Sequence, residues 1–282
     1  MTTKLLALYG LKWNPFTADI PDDALWRTPE VEHFCWRVEQ QARQGGFSLI
    51  TGESGTGKSI ALRLLARHMK AVPDIAVSVL TRPQSGMADF YRELGEAFGV
   101  TLKVHYRWAS FKDLRAKWEN HLATTLWRPL LLIDEAQEME PEVLSELRLL
   151  ASTHLDSRSI LSVALSGDLR LLELLGLPQL LPLGTRIGPR LALEYATPKQ
   201  LHDLITHSLQ QAGNPRLMTA GLVTTLSEHA AGNYRVLCNM GAELLAEGLR
   251  RQSAQLDEKL YLEVFGPASR SRSRTDARHA RA

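Results

Sequence analysis

Cysteine and long hydrophobic runs are both scarce in this sequence, and each scarcity excludes a class of protein. Two cysteines, Cys35 and Cys238, occur among 282 residues, which is too few for the disulfide framework of a small secreted domain. This usage fits a reducing, cytoplasmic setting, in which both thiols act as small buried apolar residues.

No stretch comes near the roughly 18 uninterrupted apolar residues that a membrane-spanning helix requires. The most leucine-rich segment, LSVALSGDLRLLELLGLPQLLPLG, is broken by Asp168, Arg170 and Glu173. The N-terminus, MTTKLLALYGLKWNPF, lacks the continuous apolar region and the small-residue cleavage site of a secretory signal. We therefore expect a soluble chain without membrane contact.

The net charge is also small, at +2, so it gives no argument for a nucleic-acid partner. Residues 266–282 carry five arginines and one aspartate, which leaves the rest of the chain slightly negative. This tail, GPASRSRSRTDARHARA, is polar and repetitive, and we expect it to be disordered. Any nucleic-acid site must therefore be argued from local groups of residues.

Hydrophobic periodicity divides the chain into an α/β part and an all-helical part. Residues 1–46 are expected to form an N-terminal segment containing a helix from Thr28 to Arg43, with Thr28 as its N-cap. Residues 47–195 alternate apolar strands (FSLIT, IAVSVL, PLLLI, SILSVALSG) with amphipathic helices, which predicts a parallel sheet covered by helices on both faces. Residues 196–265 contain only helical patterns.

The segment TLKVHYRWAS, after the second strand and its helix, predicts a loop or hairpin. Ser110, with an aspartate three residues later, is expected to cap the helix that follows. That helix is predicted to bury Phe111, Leu114, Trp118 and Leu122.

A phosphate-binding loop is the clearest motif. GESGTGKS fits G-x-x-x-x-G-K-[ST] in full and lies between a predicted strand and a predicted helix. Its backbone N–H groups and the positive end of the helix suit a nucleotide triphosphate, its lysine can reach the β- and γ-phosphates, and its serine can coordinate Mg²⁺. The predicted nucleotide-binding residues are Gly52, Glu53, Ser54, Gly55, Thr56, Gly57, Lys58 and Ser59.

The segment LLLIDEAQEM supplies a second half of the site. Asp134 follows an apolar strand and can hold Mg²⁺ directly or through water, and Glu135 can orient and deprotonate an attacking water. A solvated strand end is the alternative interpretation of these acids. Because the guanine-reading motif N-K-x-D is missing from the sequence, we predict ATP as the nucleotide. Water is the predicted acceptor because Glu135 is placed to activate it and the sequence indicates no pocket for another acceptor.

Four segments together carry a family resemblance: YGLKWNPF near the start, TGESGTGKS, LLLIDEAQ and GNYRVLCNMG. They resemble the ExeA-type AAA+ ATPases, a group similar to the TnsC, TniB and MuB regulators of DNA transposition. The resemblance covers about residues 8 to 250. It implies a P-loop AAA+ core with a small C-terminal helical lid, in a homo-oligomeric ring or helical filament with about six subunits per turn.

The resemblance also implies roles for four further residues. Ser166 matches the polar sensor at the tip of the fourth core strand, although GDLRL after it departs from the family pattern and leaves the register uncertain by one residue. Arg186 or Arg190 matches the arginine finger that completes a neighbouring subunit's site, and Arg235 matches the sensor arginine of the lid. Each arginine has the alternative interpretation of a surface or salt-bridge residue.

Similarity to the transposition regulators further implies double-stranded DNA along the inner surface of the assembly. Arg82, Thr101 and Lys103 are the best matches, and Arg107 is a weaker candidate. Cationic and hydroxyl side chains on loops suit phosphate contacts, which position a protein without reading sequence. A merely solvated surface is the competing interpretation of these residues.

Three functions remain open. The leading hypothesis is an ATP-dependent regulator that assembles on duplex DNA and recruits a transposase, with a target-selection protein as a further possible partner, and that is disassembled by hydrolysis. The alternative is an ExeA-like ATPase of type II secretion assembly, although members of that type typically add a membrane span and a cell-wall-binding domain, which are not seen before this sequence ends. The third is a nucleotide-gated switch without a DNA role.

Overall fold

The structure is a computed structural model that describes residues 2–101, 107–125, 127–153 and 158–266. The chain folds into two units, which we call the α/β unit and the helical unit. The α/β unit is Arg27–Glu194, and the helical unit consists of the described residues of 1–26 and 195–282. The N-terminal segment expected over residues 1–46 is thus divided between the two units.

The α/β unit is organised around a five-stranded sheet in which every pairing is parallel. Its spatial order is β2-β3-β6-β1-β7. A separate, short antiparallel pair is formed by β4 and β5. The strands are β1 (Gly46–Gly52), β2 (Ile75–Leu80), β3 (Arg128–Ile133), β4 (Ser152–Thr153), β5 (Arg158–Ser159), β6 (Ser162–Gly167) and β7 (Ile187–Leu193).

Helices flank this sheet, whose central strands are buried on both faces. Leu131 and Val163 belong to the apolar core that includes residues of α4, α5 and α6, and the adjacent Leu132 and Ala164, which point to the opposite face, are buried as well. The helices of the unit are α2 (Pro29–Ala42), α3 (Lys58–Lys70), α4 (Met87–Phe98), α5 (Arg107–Thr124), α6 (Pro141–Ala151), α7 (Leu169–Leu175) and α8 (Leu181–Gly184). The predicted mixed α/β fold with a parallel sheet is confirmed.

The helical unit packs five helices around a leucine-rich core, and most of its helix starts are fixed by side-chain caps. Thr197 and Gln200 form a reciprocal capping box at the start of α9. The side chains of Thr219, Asn233 and Asp257 cap the next three helices by accepting backbone N–H groups of the first turn. The helices are α1 (Thr2–Tyr9), α9 (Pro198–Ala212), α10 (Ala220–His229), α11 (Tyr234–Arg251) and α12 (Glu258–Phe265).

The sheet contains a strand, β7, that the sequence patterns did not predict. Its side chains alternate between buried and exposed from Ile187 through Leu191, which is the pattern of a strand with one covered face. Gly188 and Pro189 obscure this alternation in the sequence. Proline is tolerated in β7 because the strand lies at the edge of the sheet.

The prediction that Ser110 caps a helix is wrong. Helix α5 already begins at Arg107, and Ser110 is fully buried inside it. The reason is periodicity, since Ser110 lies four residues before Leu114 and continues the same buried face through Trp118 and Leu122. Of the predicted loop or hairpin, residues 102–106 lie outside the described residues.

Both cysteines occur as free thiols, and Cys35 is fully buried. Burial raises the pKa of each thiol to about 11, so both remain protonated at neutral pH. Across the described ranges, the helices are too short or too polar for any of them to cross a lipid bilayer.

Candidate nucleotide-binding site

The loop after β1 is shaped by its glycines. Gly55 and Gly57 have φ angles of 83° and 99°, in the left-handed region that favours glycine. A Cβ at Gly52 would lie 2.4 Å from the main-chain oxygen of Leu193 on β7, so the start of the loop has no room for a side chain. The sequence motif therefore has the tight backbone that a phosphate cradle requires.

Lys58 lies within this loop region and opens α3. It is only 7% exposed, and its Nζ donates to the main-chain oxygen of Glu53 at 3.1 Å. The Thr56 hydroxyl donates to the same oxygen at 2.8 Å. Ser59 is exposed in the first turn of α3, and Glu53 and Ser54 are exposed at the loop's outer side. The loop therefore presents a buried ammonium and a helix N-terminus together, a combination that suits polyphosphate.

The ends of β3 and β6 bring Asp134 and Ser166 into contact. Ser166 is fully buried, and its hydroxyl donates to Oδ1 of Asp134 at 2.8 Å. Strand β6 pairs with β1 in a register that sets Ser166 opposite Ile50, shortly before the phosphate loop. Because β3, β6 and β1 are parallel neighbours, the carboxyl ends of all three meet at one edge of the sheet.

Glu135 has a backbone conformation that is unusual for a residue with a side chain. Its φ and ψ are 51° and 40°, and left-handed non-glycine residues of this kind cluster at functional sites. Its N–H donates to Oδ1 of Asp134 at 3.0 Å, and its carboxylate accepts a hydrogen bond from the side-chain amide of Gln137. The carboxylate is exposed.

Gln137 and Asp168 belong to this edge of the sheet, although sequence reasoning missed both. The main-chain N–H of Asp168 donates to Oε1 of Gln137 at 3.2 Å. Burial acts to raise the pKa of the Asp168 carboxyl, but hydrogen bonds from Arg170 and the nearby charges of Arg170 and Lys58 hold that pKa below its ordinary value. The only sequence signals were an amide two residues after the Asp-Glu pair and an aspartate directly after Gly167.

The candidate finger residues lie at the β7 edge of the sheet. Ile187 opens β7 and pairs with Phe47 near the start of β1, so Arg186 lies near the amino end of β1. The phosphate loop begins at the other end of β1, about 20 Å away at the usual rise of a strand. Arg186 therefore cannot reach the phosphate loop of its own chain.

Arg190 lies within β7, opposite Leu49. Its guanidinium is exposed and donates to the main-chain oxygen of Gly184 at 3.1 Å. Arg235, in the helical unit, is exposed in the first turn of α11, where its N–H donates to the capping Asn233 side chain at 3.0 Å.

Of the candidate DNA-binding residues, Arg82 and Thr101 are exposed, whereas Lys103 lies outside the described residues. Arg82 follows β2, and the backbone N–H groups of Thr81 and Arg82 both donate to Oε2 of Glu93 at 3.1 Å. This carboxylate fixes the backbone of the turn and leaves the Arg82 side chain at the surface.

Arg107 is held in an ion pair with a buried carboxylate. Its Nε and Nη2 donate to the two carboxylate oxygens of Glu146 at 3.1 and 2.5 Å. Glu146 is only 3% exposed and also accepts a hydrogen bond from the Tyr91 hydroxyl. Because removal of Arg107 would leave a buried carboxylate without its cation, we assign Arg107 a structural role in this ion pair, and its contact with DNA stays a prediction.

The residues at this edge of the sheet fit Mg²⁺ and a nucleotide triphosphate. Ser59 and Asp134 supply oxygen ligands of the kind that Mg²⁺ prefers, and the described residues contain no cluster of three or more His, Cys, Asp or Glu that would form an all-protein metal site. Mg²⁺ bound by one or two protein ligands and by phosphate oxygens is the usual arrangement in phosphoryl-transfer sites.

Comparisons with known proteins agree with this geometry. Residues 41–175 match the family model described as AAA domain. General secretion pathway protein A of Aeromonas hydrophila is 30% identical over 197 residues, which are 68% of this chain and 35% of that protein. The chain therefore spans about a third of the length of this curated relative.

Two solved structures show the same fold at low sequence identity. Cdc6p from Pyrobaculum aerophilum has a TM-score of 0.70 at 14% identity, over 86% of this chain and 67% of that chain. The Aeropyrum pernix ORC1 protein, in a complex with DNA, has a TM-score of 0.66 at 19% identity, over 90% of this chain and 68% of that chain.

Proposed function

We propose that this chain, an ATPase with the P-loop AAA+ fold, uses Mg²⁺-ATP to control the assembly of its own copies. The observation that carries the proposal is the joint placement of the phosphate loop, Asp134 and Ser166 at one edge of the sheet. Bound ATP stabilises the assembled state, and hydrolysis ends it.

Each side chain has a distinct task in this proposal. The loop and Lys58 bind the phosphates, and Ser59 and Asp134 would hold Mg²⁺, which would neutralise charge on the phosphates. Glu135 accepts a proton from the attacking water, and the water attacks the γ-phosphorus while the bond to the β-phosphate oxygen breaks, giving ADP and phosphate. Ser166 contacts the γ-phosphate or the water, and Arg235 keeps its predicted role as the sensor arginine.

A second copy of the chain contributes an arginine finger to the nucleotide site. The offset of about 20 Å along the sheet prevents Arg186 from serving its own site, whereas an arginine from a neighbouring copy can stabilise charge on the transferring phosphoryl group. Arg186 or Arg190 fills this position. Hydrolysis is then coupled to assembly, because each site is complete only beside another subunit.

For the process that this assembly serves, we favour an ExeA-like role in building a secretion complex. The 30% identity to General secretion pathway protein A extends over most of this chain. In this proposal the chain is the ATPase part of such a system, and its ATP-bound oligomer promotes the assembly of partner proteins.

A DNA-bound regulator of transposition, with a transposase as partner, is the second candidate. The exposed Arg82 and Thr101 favour it, as does the fold that this chain shares with an ORC1 protein in a complex with DNA. The proposed contacts are to phosphates, so the affinity for duplex DNA is expected to fall steeply as salt rises.

A single titration separates the two candidates. We would measure binding of labelled duplex DNA with a non-hydrolysable ATP analogue at several salt concentrations, using wild type, Arg82→Glu/Lys103→Glu and the charge-matched control Lys70→Glu/Lys199→Glu. ATP-dependent, salt-sensitive binding that only the first variant loses would support the DNA role. If all three proteins assemble with nucleotide and none binds DNA, the secretion-type role or a switch without DNA remains.

A further inference from the structure

The side chain of Gln137 connects two strand ends that the proposed mechanism treats as separate. It follows β3 and is 8% exposed. Its Nε2 donates to the carboxylate of Glu135, and its Oε1 accepts the N–H of Asp168 at 3.2 Å. One amide thus contacts both Glu135, the proposed catalytic base, and Asp168, which lies two positions after Ser166.

The space for this amide depends on Gly167. A Cβ on Gly167 would lie 2.6 Å from Oε1 of Gln137, which is closer than atoms of this kind approach. Gly167 ends β6 and separates Ser166 from Asp168. The amide is therefore enclosed at the tip of β6 and has little freedom to turn away.

Two further contacts keep the same strand ends together. Ser166 donates to Asp134 at 2.8 Å, and Arg170 in α7 donates to Glu138 at 2.7 Å. The loop after β3 and the tip of β6 are thus joined at three successive points. A shift at the tip of β6 would be transmitted to the loop that carries Glu135.

We infer that Gln137 is a positioning residue for ATP hydrolysis, which holds one carboxylate oxygen of Glu135 so that the other can accept the proton of the attacking water. The inference rests on the proposed role of Glu135 as the base. Gln137 also accepts the N–H of Asp168. The orientation of Glu135 therefore depends on the position of the tip of β6, which carries Ser166. In this role Gln137 acts through Glu135.

Two substitutions separate the hydrogen bonds of Gln137. Gln137→Met keeps the length of the side chain but removes both bonds. Gln137→Glu retains an acceptor for the Asp168 N–H and removes the donor to Glu135. We expect both variants to lower kcat by roughly 10- to 100-fold, the usual effect of a misplaced catalytic group, while the KM for ATP and the affinity for a fluorescent ATP analogue stay within about twofold of wild type.

The double variant Glu135→Gln/Gln137→Met shows whether Gln137 acts through Glu135. We expect it to be no slower than Glu135→Gln alone, because the base that Gln137 positions is already lost. A further loss in the double variant would overturn the inference, as would a kcat within twofold of wild type for Gln137→Glu. If Gln137→Met does not bind nucleotide, Gln137→Glu alone decides the matter.

The same measurements distinguish failure of this inference from failure of the proposed mechanism. Normal turnover in Glu135→Gln would show that Glu135 is not the base, which would remove the premise and the inference together. Slow turnover in Glu135→Gln with normal turnover in both Gln137 variants would leave the mechanism in place and reject the role of Gln137.

Discussion

The two units of the chain differ in how they use buried polar side chains. Among the described residues of the helical unit, the buried polar side chains are those of Ser208 and Ser227. Ser227 donates to the carbonyl of Val223 in its own helix at 2.7 Å. In the α/β unit, the buried polar side chains include Lys58, Gln137 and Ser166 around the phosphate loop and the adjacent strand ends, and also Ser110 and Glu146 in its helices.

This difference shows where polar side chains occupy buried positions that apolar periodicity alone would fill with apolar residues. A buried polar group costs free energy unless it is hydrogen-bonded, so it persists where bonding or chemistry requires it. In the helical unit, burial follows the apolar periodicity of its helices. In the α/β unit, some buried polar side chains, such as Ser110 and Glu146, lie in helices, and others interrupt the apolar pattern at the edge of the sheet where the nucleotide is proposed to bind.

The largest predicted effect, on ATP turnover and assembly, comes from substitution of Lys58, the buried cation of the α/β unit. Lys58→Ala should reduce ATP turnover by on the order of 100-fold or more and abolish nucleotide-dependent assembly, because the phosphates lose their direct cation. Lys70→Ala, at the exposed end of the same helix, is the control and should behave as wild type. Steady-state ATP turnover and sedimentation check both variants, and normal turnover in Lys58→Ala would refute the site.

Glu135→Gln should separate nucleotide binding from nucleotide turnover. Without the base, hydrolysis should fall by about 100-fold, while ATP binding is retained and the assembled state lasts longer. The exposed Glu140→Gln is the matched control. Binding of a fluorescent ATP analogue and the rate of disassembly after dilution are the measurements, and disassembly at the wild-type rate would contradict the account.

Arg107→Ala tests how much the ion pair between Arg107 and the buried carboxylate of Glu146 contributes to stability. We expect a loss of about 2 kcal/mol in the free energy of unfolding, below the usual cost for a buried pair because the Arg107 side chain is 60% exposed and Tyr91 still donates to Glu146. Arg115→Ala removes a partly exposed pair with Glu119 and should cost about 0–1 kcal/mol. Equal losses in urea unfolding would argue against the assignment of Arg107.

The smallest predicted effect lies in the helical unit. Asn233→Ala removes the side chain that accepts the N–H groups of Arg235 and Val236 and should cost about 1 kcal/mol. Hydrogen exchange of the first turn of α11 would report the loss locally. The control Asn120→Ala, on an exposed position of α5, should change stability by less than about 0.5 kcal/mol. Unchanged protection of α11 would show that the cap is dispensable.

The sequence predicted those features that depend on local pattern. The loop from Gly52 to Ser59 and the acids after β3 were found because spacing and strand context identify them. Helices α9 to α12 were found because their apolar periodicity and their capping residues are local signals, whereas α1 was not predicted. The helix starting at Pro29 has the predicted cap, since Thr28 accepts from the N–H of Val31.

The features that were missed depend on contacts distant in sequence. The pairing of Gln137 with Asp168 and of Arg107 with Glu146 joins residues more than 30 positions apart, and no local pattern specifies either. Strand β7 was hidden by Pro189, which an edge strand tolerates. Ser110 was misplaced because a serine before an apolar run looks like a cap, whereas here it continues the buried face of α5.

A mixing experiment tests most directly whether the nucleotide site is completed by a second copy. Glu135→Gln retains both candidate finger arginines, and Arg186→Ala/Arg190→Ala retains Glu135, so each protein alone should hydrolyse ATP slowly. Our account predicts that an equimolar mixture regains turnover well above the sum of the two, since one variant supplies the arginine and the other the base. Turnover no greater than that sum, with both proteins still binding ATP, would contradict it.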